Sequence, residues 1–244
     1  MGVNVEWLGL ATFRIWEDGG PVLAMDPYNA SAIGITDEAE LALKIQADTV
    51  ICSSLTDIAH SNINLIEGSP QVINALDVAT GKVNATVNNR PLIAVPAAES
   101  AEHPDGADDN AVYAFEIGGL WFVHMGDLGY GLDNSEIEPF VNRCDVLLAT
   151  VGEALTLDLD ELEPMIDYLK PTWIVPMHYN VAPVVGRPFP MKTVDVFLDR
   201  RPNDPIIYAR HHTVTFPIPT IKSNRPTIVV LEPSGYKPTG DLTR

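Results

Sequence analysis

Six histidines, His60, His103, His124, His178, His211 and His212, are the residues of this chain best suited to hold a metal or move a proton. Three of them stand beside runs of strand-forming residues. His60 lies in the loop beyond 49–52, His178 follows 173–176 after one intervening residue, and His124 closes a run that leads into Gly126-Asp127-Leu128-Gly129. Imidazoles and carboxylates carried at the ends of separate strands can converge, which is what a transition-metal site requires. The plain alternatives are that Asp127 caps a tight glycine-flanked turn and that His178 is a loop histidine satisfied by hydrogen bonds.

The elements that would position these groups can be read from pattern. Strand-like runs occupy 3–8, 11–16, 22–25 and 49–52, with Asp18-Gly19-Gly20 as the turn between the second and third, and they read as a mostly antiparallel meander. Further strands are expected at 71–75, 91–95, 111–117, 120–124, 146–150, 173–176, 206–208 and 227–231, with Gly118-Gly119 joining two of them as a hairpin. A short helix is expected over 36–45, with Thr36 as its N-cap, and a second opens at Ser135 with Glu138 at capping-box spacing. A third runs from 160 to 169, placing Leu162, Met165, Ile166 and Leu169 on one face before Lys170-Pro171 stops it, and a fourth spans 194–198 after a Pro-rich loop at 183–190. Strands in groups with helices between the later ones predict an α/β or α+β layered domain.

Composition sets the limits of that domain. With 244 residues, 46% hydrophobic and 20% charged, the chain can bury a full core, and no linker or charge block divides it, so residues 1–244 read as one unit. Fifteen basic against 33 acidic residues give a formal charge of -18, which opposes nucleic-acid backbones and anionic membrane surfaces as partners. The N-terminus lacks a basic segment followed by an apolar one, and no run is long enough to span a bilayer, so a cytoplasmic protein is expected. Cys52 and Cys144 sit in apolar runs and read as buried thiols, with a single bridge left open. The oligomeric state is not legible.

Four motifs occur in order along the chain: Val5-Glu6-Trp7-Leu8-Gly9 with Ala11-Thr12-Phe13, then Asp26-Pro27, then Gly126-Asp127-Leu128-Gly129, then Pro176-Met177-His178-Tyr179. Together they resemble the metallo-β-lactamase fold superfamily, in particular its branch of ascorbate-6-phosphate lactonase-like and other predicted metal-dependent hydrolases. The resemblance runs over nearly the whole chain, to residues 226–233. It implies an αββα sandwich with a metal site at one edge between two sheets. The bridging carboxylate of that family falls on Asp127 and its last ligand on His178.

Elsewhere the family pattern is eroded. The H-x-H-x-D-H loop should follow Cys52, where the chain reads Ser53-Ser54-Leu55-Thr56-Asp57-Ile58-Ala59-His60, so that His60 stands as the loop's final histidine and Asp57 lies near the usual Asp. Glu99 replaces a later histidine after Val95-Pro96, and Leu10 stands where relatives often carry one. The resemblance therefore implies a site of His60, Asp127 and His178, with Asp57 or Glu99 as a further ligand. Such a site would hold a single divalent ion, zinc first, with manganese or iron as alternatives, or none if it is vestigial. His124 and Asp26 are expected to support the site without touching the metal, His103 to lie in a surface loop, and at most one of His211 and His212 to face it. The expected function is a metal-dependent hydrolase of a small lactone, amide or phosphoester, with Asp127 and His178 as its catalytic residues. The alternative is a non-catalytic protein of the same fold that binds a small molecule or a protein. Arg14, Arg187 and Lys192 are the cations near the expected site that could meet a phosphorylated substrate.

Overall fold

A computed structural model describes residues 2–29, 44–99, 110–153, 156–181, 191–219 and 224–234. The first sheet is built from β1 (Val3–Gly9), β2 (Thr12–Glu17), β3 (Leu23–Met25), β4 (Thr49–Cys52), β5 (Gln71–Asn74) and β12 (Thr213–Phe216), in the order β12-β1-β2-β3-β4-β5. The second comprises β6 (Ile93–Ala97), β7 (Asn110–Ile117), β8 (Leu120–His124), β9 (Val146–Thr150), β10 (Trp173–Met177), β11 (Ile206–Tyr208) and β13 (Thr227–Val230), in the order β6-β7-β8-β9-β10-β13-β11. Helices α1 (Ala75–Ala79), α2 (Asn134–Ile137), α3 (Leu159–Leu169) and α4 (Val194–Arg200) connect the later strands. This is the layered α/β arrangement that the resemblance implies.

Alternation decides which face of each early strand is dry. Val3, Val5 and Trp7 of β1, Phe13 and Ile15 of β2, Met25 of β3 and Ile51 of β4 point into the core shared with the second sheet. Leu8, Ala24, Val50 and Cys52 point the other way, into a smaller cluster covered by Ile45, Leu65 and Ile66. In β9, β10 and β13 every residue is buried, as expected of parallel strands covered on both faces. Phe216 of β12 ties the sheets together, its ring edge-on to Phe122 of β8 at 6.3 Å and to Trp173 of β10 at 5.4 Å. Such aromatic pairs contribute about 0.5–1.5 kcal/mol each beyond the area they bury.

Several elements depart from the sequence reading. The meander is antiparallel only through β3, because β4 and β5 join by parallel pairing. Residues 75–79 form α1, where only the end of a strand was expected. The turn into α2 begins two residues earlier than Ser135: Asp133 is the N-cap and its N–H donates to the Glu136 carboxylate at 2.7 Å, since Asp-x-x-Glu serves the same reciprocal cap as Ser-x-x-Glu. His211 and His212 lie just before β12, which starts at Thr213. Cys52 and Cys144 are free and buried. Among the described residues, no helix is long and apolar enough to cross a membrane. The helix expected over 36–45 falls, apart from its last two residues, outside the described residues, as do His103, Arg187 and the Pro-rich loop.

Candidate metal centre

Four strand ends aim at one place. The loop after β4 carries Asp57 and His60, the residues after β6 carry Glu99, the turn after β8 carries Asp127, and the residue directly after β10 is His178. Asp57 folds its own loop: its Oδ1 accepts the Ala59 N–H at 2.7 Å, and its backbone carbonyl accepts the Ser61 hydroxyl. That turn brings His60 Nδ1 to 3.1 Å from Asp57 Oδ2 and to 3.1 Å from Asp127 Oδ2. The His60 and His178 rings lie 5.3 Å apart between centroids.

Ligating atoms of His60, Asp127 and His178 all lie within 4.8 Å of one another, as do those of Asp57, His60, Glu99 and Asp127. The structure thus brings together all five residues singled out in the sequence. His60, Asp127 and His178 are each over nine-tenths buried. His60 Nε2, Asp127 Oδ1 and His178 Nδ1 are nevertheless without a hydrogen-bond partner. A buried polar atom left unsatisfied costs on the order of 1–3 kcal/mol, so three at one locus call for a ligand that accepts electron pairs. Two imidazole nitrogens and a carboxylate oxygen are a fitting donor set for a divalent transition metal.

Electrostatics separate the two imidazoles. Burial disfavours the His60 imidazolium, but Asp127 and Asp57 outweigh it and hold its pKa well above the ordinary value. Burial likewise disfavours the Asp127 carboxylate, and the charge and hydrogen bond of His60 reverse the balance and lower its pKa. His178 goes the other way, pushed down to about 4 by burial and then by the neighbouring His60 charge, so its lone pair stays available. Glu99 is pushed up to about 9 by burial and by repulsion from Asp127 and Asp57.

A buried polar layer fixes the turn that presents Asp127. The Gly126 N–H donates to His124 Nδ1 at 2.9 Å, His124 Nε2 donates to the Ala11 carbonyl at 2.8 Å, and the Thr150 hydroxyl donates to the Gly126 carbonyl at 2.7 Å. Asp26 accepts from the Ser53 N–H at 2.5 Å and from its hydroxyl at 2.6 Å, which ties the start of the loop after β4 to the end of β3. His124 and Asp26 belong to neither group of converging ligand atoms and instead bond to the backbone and side chains around them. Gly126 is at φ +61°, and a Cβ there would run into the Asn110 side chain and the Ser53 hydroxyl. Gly152 allows a comparable approach, since a Cβ would strike the backbone carbonyl of His178.

Other residues have partners of their own or were missed. Arg14 is committed to Glu6, its Nε donating at 2.7 Å, and stacks over Trp16. His211 is exposed, its Nδ1 accepting the Thr213 N–H at 3.2 Å. Lys192 pairs with the nearly buried Glu153 and donates its backbone N–H to the Gly152 carbonyl at 2.8 Å. Ser53, Asn110 and Thr150 were not foreseen as supports. Only the position of Ser53, at the head of the loop that carries Asp57 and His60, could have pointed to one of them.

A family model for the β-lactamase superfamily domain matches residues 4–178, ending on His178 itself. The chain belongs to the metallo-β-lactamase superfamily. Within the superfamily it is 28% identical over 205 residues to a UPF0173 metal-dependent hydrolase of Thermococcus onnurineus, covering 75% of this chain and 88% of that one. A UPF0173 metal-dependent hydrolase of Archaeoglobus fulgidus is 25% identical over 206 residues, covering 76% and 87%. Among solved structures, Igni18, a metallo hydrolase of Ignicoccus hospitalis, superposes with a TM-score of 0.62 at 19% identity, over 90% of this chain and 100% of its own. YhfI of Bacillus subtilis, a metallo-β-lactamase fold protein, superposes with a TM-score of 0.56 at 12% identity, over 96% and 98%. At these identities the two structures speak for the superfamily fold alone.

Proposed function

We propose that this chain is a metal-dependent hydrolase of a small molecule carrying a lactone, amide or phosphoester, working with one tightly held divalent transition metal. The observation that carries the reading is that ligand atoms of His60, Asp127 and His178, from three strand ends, lie within 4.8 Å of one another, and that each of these buried residues also carries a polar atom without a hydrogen-bond partner: His60 Nε2, Asp127 Oδ1 and His178 Nδ1. The names of the relatives in Thermococcus onnurineus and Archaeoglobus fulgidus support the same class of activity.

A divalent cation bound there supplies Lewis acidity, lowering the pKa of water to about 7 and polarising a carbonyl or phosphoryl oxygen. The remaining work falls to the protein. Asp57 and Asp127 together hold a proton of His60 on Nδ1 and favour its imidazolium, so a metal bound at Nε2 would displace the second proton. His178, held neutral by burial, is ready to donate without first losing a proton. Asp127 is also placed to orient an attacking water by accepting its hydrogen bond. The -18 charge favours a small substrate over a nucleic acid.

The test is elemental analysis of the purified protein together with a panel of lactones, amides and phosphoesters assayed before and after chelation. About one equivalent of transition metal and chelator-sensitive turnover of one ester class support the reading. Full activity with no residual metal refutes it. Absence of both metal and activity would leave a binding protein of the same fold.

A further inference from the structure

A cavity of about 680 Å³ opens at the opposite end of the second sheet from the metal centre, with Lys170, Thr172, Arg201 and Arg225 in its wall. It lies where α3 ends, where α4 ends and where the chain enters β13. Thr172 stands just before β10 and His178 just after it, so at ~3.3 Å per residue the strand sets cavity and centre roughly 20 Å apart. The chain carries 15 basic against 33 acidic residues, yet Lys170, Arg201 and Arg225 line this one hollow against a single acid, Asp167. Local charge there is the reverse of the overall composition. We infer that the cavity binds a small molecule through a phosphate group, at a site separate from the metal centre and independent of the hydrolase reading.

A buried carboxylate holds two of the three cations in place. Asp204 is fully buried, its Oδ2 accepting from Arg201 Nε and its Oδ1 from Arg225 Nη1 at 3.1 Å. One negative charge thus faces two guanidiniums and leaves a positive excess. Arg201 bonds to Asp204 through Nε, which leaves the terminal nitrogens of its fork to meet a ligand. Lys170 has no such structural partner: its ammonium makes no ion pair or hydrogen bond among the described residues. Its backbone sits at φ +51°, the left-handed position after a helix that glycine or asparagine ordinarily fills. The helix dipole accounts for a cation near this terminus, and not for three cations around one cavity. Cations from three separate segments suit the several oxygens of a phosphate group better than the two of a lone carboxylate. The volume is that of a small-molecule site and exceeds what bare phosphate needs, so the ligand carries a body, for which Ile166, Pro171 and Pro226 supply apolar surface.

The test is isothermal titration calorimetry of the intact chain, as purified, with inorganic pyrophosphate as the probe and citrate as its carboxylate counterpart. Pyrophosphate is expected to bind, with an affinity that falls as salt rises. Lys170→Gly removes the ammonium and suits the left-handed backbone, so its thermal midpoint should match that of wild type while pyrophosphate binds about tenfold or more weakly. Arg225→Gln, at a side chain that is half exposed, should weaken the probe to a similar degree. His178→Ala, which alters the metal centre alone, should leave pyrophosphate binding intact. Pyrophosphate binding that survives both Lys170→Gly and Arg225→Gln, or that disappears in His178→Ala, places the probe elsewhere and overturns the inference. Absence of pyrophosphate binding overturns it as well. Citrate bound as tightly, with the same dependence on Lys170, overturns the assignment to phosphate. Each of these results leaves the hydrolase reading standing.

Discussion

His60 Nδ1 stands 3.1 Å from Asp127 Oδ2, so the carboxylate that faces the metal position also fixes the proton on a neighbouring ligand. Removing that charge removes a donor and the partner that orients His60 in one step. Asp127→Asn should therefore lower metal affinity by about 10–100-fold and abolish metal-dependent turnover, with circular dichroism unchanged. Retention of the wild-type metal content after dialysis would refute the assignment.

His178 and His211 make a matched pair for substitution. His178→Ala removes an unpartnered buried donor and should release the tightly held metal. His211→Ala removes an exposed ring bonded to the Thr213 N–H and should leave metal content and activity as they were. Equal losses in the two variants would mean that the centre has been misplaced.

Proton linkage gives the metal-free protein an unusual stability profile. Glu99 ionises near its ordinary value when unfolded but keeps its proton up to about 9 when folded, so stability is lost as pH rises between those values. His60, with its pKa raised, contributes stability that is full below the ordinary histidine value and is lost as pH climbs toward its folded one. His124 and His178, both pushed down to about 4, act oppositely and favour the fold as pH rises from 4 toward 6.5. Above 6.5 their effect is spent and the losses dominate. Denaturant midpoints of the chelated protein should therefore fall from pH 6.5 to pH 8.5, and Glu99→Gln should flatten the decline. A midpoint that rises over that interval would contradict the arrangement of charges.

Gly126 tests the support layer independently of the metal. An alanine there must adopt a left-handed conformation and push into Asn110 and Ser53, so Gly126→Ala should cost about 1–3 kcal/mol and displace Asp127. Thermal unfolding of the chelated protein measures the first effect and metal affinity the second. A variant with unchanged midpoint and affinity would show that the turn tolerates a side chain.

Much of the scaffold was legible because its strands are short apolar runs bounded by Gly, Pro and Asp, and β9 and β10 were placed almost to the residue. Parallel pairing of β4 and β5 was not legible, since a local pattern says which residues are dry and nothing about which distant strand lies alongside. Asp127 and His178 stood out through motifs that must keep their geometry: a glycine turn in one case and a strand end in the other. Glu99 was legible only as a departure from a family pattern. The contacts of Ser53, Asn110 and Thr150 were hidden because small polar residues resemble ordinary loop and strand residues until the distant chain folds over them.

Strand β13 lies between β10 and β11, although it is the last of the three to be made. A ribosome-bound chain that has exposed Ile206–Tyr208 cannot yet seat that strand, because its hydrogen-bonding partner, Thr227–Val230, is still inside the exit tunnel. During synthesis the second sheet therefore waits with the β10 edge open, and its closure is timed by the arrival of a few late residues.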